Sequence, residues 1–194
     1  MDIGALESGV SGPFVLAVPG VFSAEECSRI EALGRPELTD DGGLVGGVVH
    51  HNIRRADIAW LDDRGSGRWV MDRVVDTVAS ANRRHFHFDL TEFGERLQVA
   101  HYSAEVTGHY DWHSDIGDGQ LAARRKLTMV VQLSDPDAYE GGALELNASG
   151  RAVAAPRRQG DAVLFASFVP HRVAPVTYGR RASLSVWIHG PAFR

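Results

Sequence analysis

The sequence predicts a mainly β domain, a sandwich or barrel with helices along one side. Two observations carry this reading. From Leu97 onward, short β-rich runs succeed one another at 97–103, 126–133, 143–146, 162–166, 172–176 and 181–189. Turn residues separate them, among them Asp135-Pro136-Asp137, Gly141-Gly142 and Gln159-Gly160-Asp161. Before Leu97, apolar residues recur at helical spacing in two places. A strand that buries one face needs a facing layer, which a second sheet or a closed sheet supplies.

Taken in order, residues 14–18 form a short apolar strand stopped by Pro19-Gly20. Ser23 and Glu26 make a capping box that opens a helix, and Gly34 stops it. Cys27, Ile30 and Leu33 share one face of that helix, so Cys27 is expected in the core rather than as a nucleophile. Residues 35–47, with Pro36 and four glycines, read as a mobile surface loop. Residues 48–58 are β-rich. The adjacent His50 and His51 point to opposite faces of a strand and are not expected to chelate together. Arg54 and Arg55 read as a solvated strand edge in preference to contacts with an anionic substrate. Residues 67–84 form the strongest helix, its stripe of Val70, Val74 and Val78 flanked by Met71 and Val75. Residues 85–89 are expected as an edge strand burying Phe86 and Phe88.

Composition narrows the function classes. The 194 residues suit one domain, with 44% hydrophobic and 23% charged residues. A net charge of −5 has the wrong sign for holding a phosphate backbone by charge, so no nucleic-acid partner is expected. Cys27 is the only cysteine, which excludes an intrachain disulfide and an all-protein thiolate cluster. The first residues show neither a basic region nor a long apolar run, so neither signal peptide nor membrane span is expected and the cytoplasm is the default location.

The chemistry centres on His113-Ser114-Asp115. If residues 109–115 are extended, His113 and Asp115 share a face and Ser114 turns away. His171, in Val169-Pro170-His171-Arg172-Val173, offers a third ligand. Two His and one carboxylate with open coordination positions suit non-haem Fe(II). On the last strand Arg181, Ser183, Ser185 and Trp187 share one face, with Ala182, Leu184, Val186 and Ile188 on the other. The second set is a core face. The first aims a guanidinium and two hydroxyls inward, and a dicarboxylate is the partner a bidentate fork suits. Tyr102 is placed to donate its phenol to the same acid.

Residues 97–190 resemble the Fe(II)- and 2-oxoglutarate-dependent dioxygenases of the prolyl 4-hydroxylase-like group. The resemblance rests on Tyr102, Tyr110-x-x-His113-x-Asp115, Arg125-Lys126-Leu127-Thr128, the segment 133–144, His171 to Val176, and Arg181-x-Ser183. It implies a double-stranded β-helix, a jelly-roll or cupin-like barrel, with 97–190 as catalytic core and 1–96 as N-terminal strands and supporting helices. It implies His113, Asp115 and His171 as Fe(II) ligands, and Arg181 and Ser183 as holders of 2-oxoglutarate, assisted by Tyr102 and Ser185. Gln132 stands where some relatives place a Tyr for the co-substrate. The implied reaction uses O2, with ascorbate as an optional reductant, and hydroxylates an aliphatic C–H with release of succinate and CO2. A prolyl or related amino-acid, peptide or small-molecule substrate is expected. Asp115 argues against halogenation, which needs a small residue there. A nucleic-acid demethylase of the superfamily is the alternative, but Trp187 stands where it would carry a second Arg. A non-catalytic cupin-type binding module would give no reason for Arg181-x-Ser183.

Overall fold

The computed structural model describes residues 12–35 and 53–193. The loop expected at 35–47, beyond Arg35 itself, and the His50-His51 pair lie outside the described residues. The strands are β1 (Val15–Val18), β2 (Arg54–Arg55), β3 (Asp57–Trp60), β4 (Gln98–Ser103), β5 (His109–His113), β6 (Arg125–Gln132), β7 (Tyr139–Gly141), β8 (Leu144–Leu146), β9 (Val153–Ala154), β10 (Ala162–Ala166), β11 (His171–Val173) and β12 (Val176–His189). Two α-helices, α1 (Ala24–Leu33) and α2 (Arg68–Ala81), complete the frame.

Antiparallel pairing builds two sheets. The larger runs β1-β10-β6-β12-β4-β3, with β7 paired to the start of β12, and the smaller runs β2-β5-β11-β8-β9. The alternation of β12 shows how they stack. Ala182, Leu184, Val186 and Ile188 meet Val70, Val74 and Val78 of α2 and Cys27 and Ile30 of α1. From the opposite face of the larger sheet, Tyr102, Val130 and Phe165 meet Leu144, Leu146 and Val173 of the smaller one. The layers are therefore helices, large sheet and small sheet. The architecture is the expected jelly-roll, with two facing sheets that do not close into a barrel. Each fully buried Val or Leu at these contacts contributes about 1.5–3 kcal/mol.

Local chemistry sets the helix entry. The Ser23 hydroxyl accepts from the Glu26 amide at 3.1 Å, and the Glu26 carboxylate accepts from the Ser23 amide at 2.9 Å. Arg73 of α2 then donates to Glu26 and to the Val21 carbonyl, docking one helix on the other.

Three expectations need correction. Residues 82–86 form a π-helical turn that continues α2, not the start of an edge strand. The Asn82 side chain clamps both backbone groups of Phe88 at 2.9 Å, and His87 takes φ 55°, so the chain reverses there. Phe86 is buried as expected, Phe88 only partly. The run at 172–176 is divided between β11 and β12. Finally, β5 ends at His113, so Asp115 lies beyond the strand.

Candidate active site

His113 and His171 are cross-strand partners on β5 and β11 of the smaller sheet, and their rings lie 4.2 Å apart. Asp115 reaches the same point from the bend after β5, where the Ser167 carbonyl accepts from its amide at 2.9 Å. Extended-strand geometry thus brings His113 and Asp115 together for a reason that holds only as far as His113. Nε2 of His113 is 3.8 Å from Asp115 Oδ1, and Nε2 of His171 is 3.6 Å from Asp115 Oδ2. These gaps are too long for hydrogen bonds and suit donor atoms arranged around one ion. Among the described residues this is the cluster whose ligand atoms all lie within 4.8 Å of one another.

The surroundings prepare the donors. Nδ1 of His113 meets the Asp111 carbonyl at 2.8 Å, and Nδ1 of His171 meets the Val169 carbonyl at 3.0 Å. A carbonyl only accepts, so each Nδ1 carries the proton and each Nε2 presents a lone pair. Burial, with the neighbouring His171 next, pushes His113 down to about 4 and keeps its ring neutral. The Thr128 hydroxyl donates to Asp115 Oδ2 at 2.7 Å and lies 3.0 Å from the Ser167 hydroxyl. The Tyr110 ring stacks on His113 at 3.5 Å.

The second cluster belongs to the larger sheet. Arg181 is 1% exposed, and its Nη2 donates to Gln132 Oε1 at 2.9 Å. Nη1 is 3.5 Å from the Ser183 hydroxyl, the guanidinium lies over the Tyr102 ring at 5.4 Å, and Nε is buried without a partner. No protein carboxylate pairs with it among the described residues. Gly142 makes room for it: φ is 60°, and a Cβ there would lie 3.0 Å from Arg181 Cδ. Tyr102, Ser183, Ser185 and Trp187 line the same cavity as His113, Asp115 and His171.

The structure brings Tyr102, His113, Asp115, His171, Ser183 and Ser185 to this one cavity, with Arg181 against Tyr102 and Ser183 of its wall. Four participants carried no assigned role in the sequence reading. Gln132, standing where some relatives place a Tyr, is the hydrogen-bond partner of Arg181; Thr128 orients Asp115. Arg125 is tied to the partly buried Glu95 through Nε at 2.7 Å, donates to the Asp115 carbonyl at 3.2 Å, and stacks on Trp187 at 4.2 Å. Arg54, expected at a solvated edge, is instead half-buried and lines the cavity, while Arg55 is exposed. Among the described residues no helix is long and apolar enough to cross a membrane.

The chain is similar to known proteins in sequence and in fold. Residues 97–189 match the family described as the 2OG-Fe(II) oxygenase superfamily. A PKHD-type hydroxylase of Maricaulis maris is 32% identical over 161 residues, 78% of this chain and 69% of that protein. One from Teredinibacter turnerae is 28% identical over 162 residues, 73% of this chain and 72% of that protein. Among solved structures, a prolyl-4-hydroxylase from Pseudomonas putida superposes with a TM-score of 0.67 at 22% identity, covering 92% of this chain and 93% of that one. A Trichoplax adhaerens prolyl hydroxylase, solved with a peptide fragment of the hypoxia inducible factor oxygen degradation domain, gives 0.71 at 20% identity, covering 91% and 84%. These two likenesses concern the fold. With the triad, the sequence relatives and the family match together, the chain belongs to the 2OG-Fe(II) oxygenase superfamily and is a 2-oxoglutarate-dependent dioxygenase.

Proposed function

We propose that this enzyme hydroxylates an aliphatic C–H of a prolyl or related amino-acid or peptide substrate, releasing succinate and CO2. The observation that carries the reading is one cavity with two poles: the His113–Asp115–His171 triad on one side, and on the other the wall of Tyr102 and Ser183, against which lies Arg181, without a carboxylate partner among the described residues. The donors fit Fe(II). Two imidazole Nε2 atoms with their lone pairs free and one carboxylate anchored by Thr128 make its usual set, and the buried Arg181 Nε fits a carboxylate oxygen.

In this reading His113, Asp115 and His171 hold Fe(II), and Arg181 with Ser183 binds the far carboxylate of 2-oxoglutarate. Tyr102 packs beneath the guanidinium, and Ser185 supplies a further hydroxyl to the cavity. When bound, the metal with 2-oxoglutarate and O2 supplies the oxidising chemistry. The chain's residues position and shield it. Val130, Leu144 and Val173 line the cavity with apolar surface, which excludes water between the poles. Thr128 and the two backbone carbonyls keep the ligands oriented.

The test is turnover with Fe(II), 2-oxoglutarate and ascorbate against peptide and amino-acid libraries. Succinate must form in step with a substrate gaining one oxygen atom, labelled when 18O2 is used. Succinate formation with no oxygen transferred to any member of either library refutes the substrate class.

A further inference from the structure

Arg54 lines the cavity and, among the described residues, has no carboxylate partner. Arg73, Arg125 and Arg172 each pair with a glutamate. Arg54, opposite Tyr110 in the register of β2 and β5, pairs with no carboxylate among the described residues. Its Nη2 donates to Gln98 Oε1 at 2.7 Å, and its Nε is buried with no acceptor. The guanidinium lies over the Tyr110 ring at 4.7 Å, and that same ring stacks on His113. Arg54 is therefore a cation one aromatic neighbour from a candidate metal ligand, with a donor that meets no acceptor among the described residues.

Charge points the same way. With Fe(II) and doubly negative 2-oxoglutarate in place, Asp115 and Arg181 bring the cavity to neutrality, and Arg125 is matched by Glu95. The Arg54 charge is left over. One negative charge balances it, whereas a phosphate would overshoot. A carboxylate also suits the two-point donor geometry of a guanidinium.

We propose that Arg54 is a second anion subsite that receives a carboxylate of the substrate, so that the residue oxidised is a free amino acid or the last residue of a peptide, not an internal prolyl. This rests on the function proposed above and narrows its substrate class. Gln98 acts as a positioning residue, holding one guanidinium nitrogen so that Nε faces the incoming acid.

The test is equilibrium binding by calorimetry to the anaerobic Fe(II)/2-oxoglutarate enzyme. The probes are matched acid and amide pairs: the common amino acids and their amides, acetyl-Ala-Pro-OH and acetyl-Ala-Pro-NH2, with acetyl-Ala-Pro-Ala-NH2 for an internal prolyl. At least one acid should bind about ten- to a hundredfold more tightly than its amide, the range for a hydrogen bond to a charged group. Arg54→Gln should remove that preference and Arg54→Lys should keep part of it. Preference for free acids over acetyl-Ala-Pro-OH identifies a free amino acid as the source, and the reverse identifies a peptide terminus. Amides or the internal-prolyl peptide binding as tightly as the acids would overturn the proposal, and that comparison in the unmodified enzyme decides even if the variants fail to fold. Should no acid bind while the visible band of the Fe(II)/2-oxoglutarate complex forms, the subsite is refuted and the proposed function stands. Should that band not form, both fall.

Discussion

At His113 and His171 a backbone carbonyl selects the ring nitrogen that faces the cavity, and at Asp115 a hydroxyl selects the oxygen. This division of labour separates two kinds of substitution. His113→Ala or Asp115→Ala removes a donor and should abolish 2-oxoglutarate turnover while the circular dichroism spectrum is retained; substantial turnover by either purified variant would refute the triad. Thr128→Val leaves the donors and removes the orientation, so Fe(II) affinity should fall about 10- to 100-fold in a metal titration. Arg181 offers a third case. Arg181→Lys keeps the charge and loses the fork, and should mainly raise the apparent 2-oxoglutarate constant. Arg180, exposed and paired with Glu105, is its control: Arg180→Ala should leave that constant unchanged. His113-x-Asp115 and Arg181-x-Ser183 were legible as candidates because each is a short chain pattern. Thr128 and Gln132 were not, because their partners lie 13 and 49 positions away and only the sheet register joins them. Arg54 was misread for a related reason: its strand is an edge of the smaller sheet, but that edge faces the cavity.

Among the elements, α1 is the most local in its logic. Its capping box was readable from Ser23 and Glu26 alone, and Ser23→Ala should cost about 0.5–2 kcal/mol, measured by denaturant unfolding. The cap also gives a pH signature. The hydrogen bond from the Ser23 amide, helped by Arg73 against the opposing effect of burial, holds Glu26 below its ordinary 4.5. A lowered folded value means that stability is present above the ordinary carboxylate range and is lost as pH falls through the folded one. The stability of the native chain should therefore fall more steeply below about pH 4.5 than that of Glu26→Gln, compared by thermal unfolding across pH 3–7. The part of β12 from Arg181 onward was equally legible, since its alternation of small polar and aliphatic residues suits a strand buried on two unlike faces; its first residues, 176–180, were not, because Gly179 mimics a turn inside the strand. The segment 82–88 was not. Alternating aromatics there mimic a strand, while the side chain that reverses the chain, Asn82, acts through a pairing with Phe88 that no periodicity reveals.

Across the whole molecule, the two poles of the cavity belong to different sheets. His113 and His171 come from β5 and β11 of the smaller sheet, and Arg181 and Ser183 from β12 of the larger. Thr128 of β6 holds Asp115 across the gap, and the facing sheets meet through packing around Val130, Leu144 and Val173. Under the proposed function, the metal tightens one sheet and the co-substrate ties that metal to the other. A ligand that binds only the folded state stabilises it by about 2.7 kcal/mol at a hundredfold excess over its dissociation constant. For a chain of this size that corresponds to a rise in Tm of roughly 5–11 °C. Measured anaerobically by scanning calorimetry, Fe(II) alone should raise Tm, 2-oxoglutarate alone should do little, and the two together should exceed the sum of their separate effects. Arg181→Ala should keep the Fe(II) increment and lose most of the added increment from 2-oxoglutarate, whereas Asp115→Ala should lose both. Equal responses of the native chain and Arg181→Ala to 2-oxoglutarate would mean that the co-substrate does not bridge the sheets.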